Sequence, residues 1–257
     1  MYRHLKLSSE GRLARVTLDR VDRRNAFSAE LMREMIAAAA ELAARRDLDA
    51  VIVSGSGGVF SAGADLKDGT RWAGGAPLLE QRETSGLGGR MARAWEELPQ
   101  ITIAAIEGYA IGGGLAFAVA LDWRVISRQA FVSLPEISLG IPLTWGTLPR
   151  LVNLVGPARA KRLAILGERV SAADALAMGL ADELCEPGAA LQAAAELAGK
   201  ALDKPKHSVL MTKETVNAYA SLGAHAVSHM ASDQLELAAA SPESRAARDA
   251  ALKRRKK

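Results

Sequence analysis

Cysteine is nearly missing from this chain: its 257 residues include one, Cys185, so no internal disulfide is available. That scarcity points to a reducing compartment, the cytoplasm, with Cys185 as a small core residue near a strand end. Aromatic residues make up 4% and histidines number 4. They offer little material for an aromatic-studded nucleic-acid surface or a histidine-rich metal centre. Long hydrophobic runs are also missing. The longest, residues 110–121, holds three glycines and stops at Asp122, too short to cross a bilayer. Residues 1–13 lack the apolar stretch of a secretory leader. No membrane partner is expected.

Several catalytic signatures are absent as well. Residues 55–60 (GSGGVF) open like a dinucleotide fingerprint, but Phe60 occupies the third glycine site and no helix start follows. There is no Gly-Lys-Ser/Thr phosphate loop and no Gly-x-Ser-x-Gly elbow. His225 and His229 share a helical face that Asp233 continues, yet no glutamate follows His225 as a metalloprotease pair requires. No metal is expected. The net charge of +4 is outweighed by the tail Lys253, Arg254, Arg255, Lys256 and Lys257. The excess therefore reads as a solvated terminus, not a nucleic-acid surface, with attraction of an anionic small ligand as a second possibility.

What is present is a substantial core. Hydrophobic residues reach 49% and charged residues 24%, the balance of a soluble globular chain. Strand-like runs at 12–19, 50–54, 101–106, 123–127 and 131–134 are separated by helical patterns. Ser28 caps one helix running to about Arg46, and Met91, Trp95 and Leu98 mark another. Residues 115–121 form an apolar helix. The alternation predicts an α/β fold with parallel pairing. From Thr147 onward the chain reads as mainly helical, with Ser171 opening one helix, Gly179 closing it, and Ser241-Pro242 opening the last. We expect residues 1–195 to form the core and 196–257 a helical segment of the same domain, covering the sheet or meeting other subunits. The glycine-rich stretch 68–89 reads as a flap or a partly helical excursion.

Two glycine-rich strand ends stand out. Residues 60–66 (FSAGADL) and 108–114 (GYAIGGG) place small side chains where ligand atoms can reach bare backbone. Two peptide N–H groups can then aim at one oxygen. Glu136 follows in Leu134-Pro135-Glu136-Ile137, flanked by Phe131, Val132 and Leu139. Burial there would raise its proton affinity and suit it to proton transfer near neutral pH. Proton chemistry beside an activated carbonyl is the reading of these residues.

Together with Asn25-Ala26-Phe27-Ser28, residues 134–142, Gly156 and residues 167–175 (GERVSAADA), these motifs resemble the crotonase superfamily, the enoyl-CoA hydratase/isomerase family. The resemblance covers about residues 5–190. It implies a spiral of ββα units, trimers or hexamers, and a place in fatty acid metabolism. It also implies an acyl-CoA thioester as substrate, coenzyme A entering as part of it and no separate cofactor. By motif position the oxyanion donors are the backbones of Ala64 and Gly113, with Glu136 as base and acid. Arg24, Ala26, Ala62, Asp65 and Leu66 fall where the family holds the coenzyme, Arg24 also where it can meet a phosphate. Gly112 and Pro135 adjoin the substrate.

Two departures matter. The family's bifunctional hydratases carry a glutamate shortly after the triple glycine, where this chain has Ala116. A single carboxylate suits isomerisation of an enoyl-CoA, with hydration and a non-catalytic acyl-CoA-binding protein as alternatives. Asp68, Glu80 and Glu83 are candidate replacements, more readily taken as loop charges. Trp145 stands where many relatives have a glycine; it reads as core packing or, second, as acyl-pocket wall.

Overall fold

Period-two alternation decides how the strands are used. In β3 (Ala50–Gly55), Val51 and Val53 face one hydrophobic cluster while Ala50 and Ile52 face another. In β4 (Ile101–Ile106), Ala104 and Ile106 join the first cluster and Ile101, Ile103 and Ala105 the second. Both strands are therefore apolar on each face, as parallel strands between two helical layers must be. The computed structural model describes residues 2–69 and 77–254, apart from the side chains of 225 and 251–254.

Six strands form the main sheet: β1 (Leu5–Glu10), β2 (Leu13–Leu18), β3, β4, β6 (Trp123–Ser127) and β9 (Glu183–Cys185), in that order. The β1/β2 hairpin is antiparallel and every other pair is parallel. A smaller sheet joins β5 (Tyr109–Ile111), β7 (Phe131–Ser133) and β8 (Val170–Ser171). Four strands, β1, β5, β8 and β9, lie outside the expected runs, and β8 and β9 interrupt the stretch read as helical. Elements of two or three residues are defined by their pairing partner, and no periodicity can announce them.

Helix α1 (Ala29–Ala44) is capped twice. Ser28 Oγ accepts from Leu31 N–H at 3.2 Å, and Asp68 Oδ2 accepts from Ala29 N–H at 2.7 Å. Its buried stripe, Leu31, Met35, Ala38 and Leu42, recurs at helical spacing. Helix α2 (Leu78–Ser85) and α3 (Leu87–Glu96) follow, and Trp95 of α3 donates its indole N–H to the Met35 carbonyl at 2.9 Å. The expected apolar helix starts earlier and is shorter than read, as α4 (Gly113–Ala118). Helix α5 (Thr147–Leu166) bends at Gly156-Pro157, and α6 (Ala172–Ala177) is capped by Ser171.

The C-terminal helices pack on the second cluster, the strand ends and the rim of the cleft. Helix α7 (Ala190–Leu202) buries Ala190, Ala194 and Ala198 against the second cluster. Helix α8 (Lys206–Ala220) sinks Lys213 among the strand ends. The short α9 (Ala224–Ser228) leads to α10 (Ala231–Ala240), which α2 clasps through Arg82–Asp233 at 2.7 Å and Ser85–Glu236. In α11 (Pro242–Arg254), Ser244 packs so tightly on Gly140 that a Cβ there would lie 2.5 Å from Ser244 Cα. Among the described residues no helix is long and apolar enough to cross a membrane.

Candidate active site

The first glycine-rich turn is laced to its surroundings by backbone bonds. Phe27 N–H donates to Gly63 O at 2.8 Å and Asp65 N–H to Phe27 O at 3.0 Å. Ser61 Oγ donates to Asn25 O and accepts from Gly63 N–H. Buried Asn25 donates to the carbonyls of Ser56 and Val59, closing the loop behind the turn.

The second turn is brought alongside by a parallel bridge, Ser61 pairing with Ala110. Gly63 is what permits the close approach. Its φ is +89°, and a Cβ there would meet Ile111 O at 2.4 Å and Gly113 N at 3.1 Å. A Cβ at Gly113 would in turn lie 3.1 Å from Ala64 N. Ala64 and Gly113 thus sit side by side and line one cleft. Among the described residues neither of their N–H groups has an acceptor. Buried donors are normally paired, so two bare ones facing one cleft form a receptor for an oxygen.

Glu136 enters the same cleft from the loop after β7. Its Oε1 faces Gly112, where a Cβ would come within 2.6 Å, while buried Oε2 has no hydrogen-bond partner among the described residues. Burial pushes its pKa up to about 7, opposed by a backbone hydrogen bond. Both protonation states are then populated near neutrality, as a proton shuttle requires. Among the described residues that line the cleft, Glu136 alone is ionisable. The cleft encloses about 620 Å³ of non-atom space, mouth included.

The other expected residues divide. Ala62, Leu66, Gly112, Pro135 and Trp145 line the cleft. Asp65 does not; its carboxylate is buried against Arg20 at 2.9 Å and holds the turn from behind. Arg24 is exposed, with φ +53°, and its carbonyl accepts from Ala62 N–H. Ala26 is buried, its carbonyl bonded by Arg20. Asp68 caps α1, and Glu80 and Glu83 are exposed on α2. None of the three lines the cleft.

The His225 side chain and residues 255–257 of the basic tail lie outside the described residues. His229 Nδ1 donates to the Ala226 carbonyl. Among the described residues no group of three or more His, Cys, Asp or Glu is placed to hold a metal.

Sequence reasoning missed four contributors. Leu235 of α10 roofs the cleft from the far end of the chain. Gly88 of α3 forms a slot for the Trp145 ring, and Ile141 and Leu143 complete the apolar wall. No local signal marks them, because their partners are remote in sequence.

Comparison with known proteins bears on the family and the fold. The profile of the enoyl-CoA hydratase/isomerase family matches residues 8–257. A Mycobacterium avium protein named probable enoyl-CoA hydratase is 40% identical over 195 residues, 76% of this chain and 74% of its own. The short-chain-enoyl-CoA hydratase of Clostridium acetobutylicum is 33% identical, covering 82% of this chain and 80% of its own. A crystal structure of an enoyl-CoA hydratase/isomerase from Xanthobacter autotrophicus superposes with a TM-score of 0.87 at 28% identity, over 96% of this chain and 91% of its own.

Proposed function

Because the chain belongs to the enoyl-CoA hydratase/isomerase family, we propose that it isomerises an enoyl-CoA thioester, moving a proton between the α and γ carbons with Glu136. The observation that carries this reading is the solitary carboxylate in the cleft, its buried Oε2 without a partner among the described residues and next to two bare amides. In the proposed step the Glu136 carboxylate removes the α-proton of a 3-enoyl thioester. The electron pair delocalises through the carbonyl onto the thioester oxygen, held by the N–H groups of Ala64 and Gly113, and through the adjacent double bond onto the γ carbon. Neutral Glu136 then returns the proton at the γ carbon, leaving the 2-enoyl product and the original carboxylate. Each fixed donor is worth about 3 kcal/mol of barrier, since it needs no reorganisation as charge develops.

Coenzyme A enters only as part of the substrate, and the step uses no separate cofactor. Ala62 and Leu66 are the cleft-lining residues assigned to the coenzyme, and exposed Arg24 is assigned to a phosphate. Self-association into trimers or hexamers belongs to the same proposal, supported by exposed Met211, Val216, Tyr219 and Leu237 on α8 and α10. The names of the curated relatives favour a second reading, hydration of a 2-enoyl-CoA. That reaction also needs a group to guide water, and the cleft presents Ala116 and the Trp145 ring where a second acid would serve.

Incubation with 3-enoyl-CoA and with 2-enoyl-CoA, followed by conjugated-thioester absorbance, separates the readings. Isomerisation makes absorbance grow from the 3-enoyl substrate and stop growing in Glu136→Gln. Rapid loss of absorbance from 2-enoyl-CoA would replace isomerisation by hydration. Tight binding with no turnover in either direction would leave an acyl-CoA-binding protein.

A further inference from the structure

Trp145 carries the largest side chain in the cleft on a backbone suited to glycine. Its φ is +61°, followed by Gly146 at +68°, a conformation that costs a bulky residue strain. Room for the ring is made by two remote glycines. A Cβ at Gly88 would sit 1.9 Å from Trp145 Cε2, and one at Gly113 would sit 2.6 Å from Cη2. The ring meets Phe27 edge-on at 5.9 Å, and Phe27 meets Phe117 at 5.5 Å. Arg150 donates to the Trp145 carbonyl at 2.6 Å and is itself clamped on Glu96 by two bonds of 2.7 and 2.6 Å. Trp145 is buried in the main hydrophobic cluster, as core packing requires, and it also lines the cleft, so the strained residue serves as core and wall at once.

Beside Trp145 lies a second, larger hollow of about 1690 Å³ of non-atom space, open solvent included, lined by Gly89, Arg93, Glu96, Asn153 and Ser232. Thr144 and Trp145 line both spaces. We infer that the Trp145 indole is the partition that ends the acyl pocket, restricting this site to short acyl groups, and that its removal joins the cleft to the outer cavity. The inference rests on the acyl-CoA reading above and deepens it by naming the substrate's length class. Phe27 packs edge-on against the ring, and Ala116, Ile141, Leu143 and Leu235 give the cleft an apolar lining, so chain length is selected chiefly by space. Each methylene that finds room is worth about threefold to fourfold in affinity, and each that does not forfeits that gain.

The test is calorimetric binding of saturated acyl-CoA thioesters, from butanoyl to dodecanoyl, to the intact protein, which reads the pocket without turnover. In the wild type, affinity stops rising after the first few carbons and falls for the long chains. In Trp145→Gly, whose backbone strain is relieved, the dodecanoyl-to-butanoyl affinity ratio rises at least tenfold. Trp145→Leu, a smaller apolar plug, raises it less, and it guards against a folding defect in the glycine variant. A wild type that binds dodecanoyl-CoA at least as tightly as butanoyl-CoA overturns the inference. So does an unchanged ratio in both variants. Failure of every acyl-CoA to bind the wild type is a distinct result: it removes the acyl-CoA reading itself and this inference with it.

Discussion

Asp122 and Glu136 are acids sunk into apolar surroundings, and the fold treats them in opposite ways. Asp122 Oδ2 accepts from Thr102 N–H at 2.7 Å, from the Thr102 hydroxyl at 2.9 Å and from the Lys213 ammonium at 2.5 Å. Lys213 also donates to the Gln100 carbonyl at 2.7 Å, and burial pulls its pKa down while Asp122 pulls it up. Glu136 Oε2, equally enclosed, meets no donor among the described residues. A charge that ties a helix to a sheet is given every partner available, because an unpaired one would cost more than the contact returns. A charge that must take and release a proton is left bare.

The sharpest way to break this contrast is to remove each acid in turn. Glu136→Gln is expected to lower kcat/KM on the preferred enoyl-CoA about 10³-fold, the usual scale for a lost general base, with the fold intact. Asp122→Ala is expected to cost about 3–5 kcal/mol of unfolding free energy, because Lys213 is left buried and uncompensated. The molecules that remain folded should keep their turnover. Urea denaturation beside steady-state rates checks both. Stability loss in the first variant, or a rate collapse in folded molecules of the second, would reverse the assignment of roles.

The contrast extends to pH. The buried Glu136 carboxyl holds its proton more tightly in the folded chain than in the unfolded one, at about 7 against 4.5. That preference favours folding below about 4.5 and is lost as pH climbs through 7. Wild type should therefore trail Glu136→Gln in stability at pH 8 by about 2–3 kcal/mol, the gap closing toward pH 5. Activity should run the other way, rising through pH 7 as the base ionises. Melting temperatures and rates across pH 5–9 read both curves, and a flat stability difference would place the carboxylate in water.

How much of this was legible beforehand follows the same division between local and remote. Glu136, the two glycine turns and the caps at Ser28 and Ser171 were visible because each depends on its immediate neighbours. The partners of Asp65 and Trp145 were hidden, because Arg20 and Gly88 reach them only through the closed fold. The coenzyme side chains illustrate the limit. Position within a motif assigned Asp65 to the coenzyme, but nothing in that motif announces Arg20, which its carboxylate meets at 2.9 Å. Leu235 was equally hidden, since nothing local in α10 says which face folds over the cleft.

The smallest expected effect isolates geometry from chemistry by pairing two glycines. Gly11 and Gly112 both have positive φ, +56° and +53°. A Cβ at Gly11 meets nothing within 4 Å, whereas one at Gly112 lies 2.6 Å from Glu136 Oε1. Gly11→Ala should therefore lose about 1 kcal/mol of stability from left-handed strain alone, with kcat/KM unaltered. Gly112→Ala, at φ +53° and ψ −122°, falls outside the left-handed helical region, bears a larger backbone penalty and must also push the carboxylate aside. A displacement of that size costs alignment with the reacting carbon, so kcat/KM should fall by about tenfold or more. Equal rates in the two variants would mean that Glu136 can swing freely, and the bare carboxylate would then owe its reactivity to burial and not to being held in place.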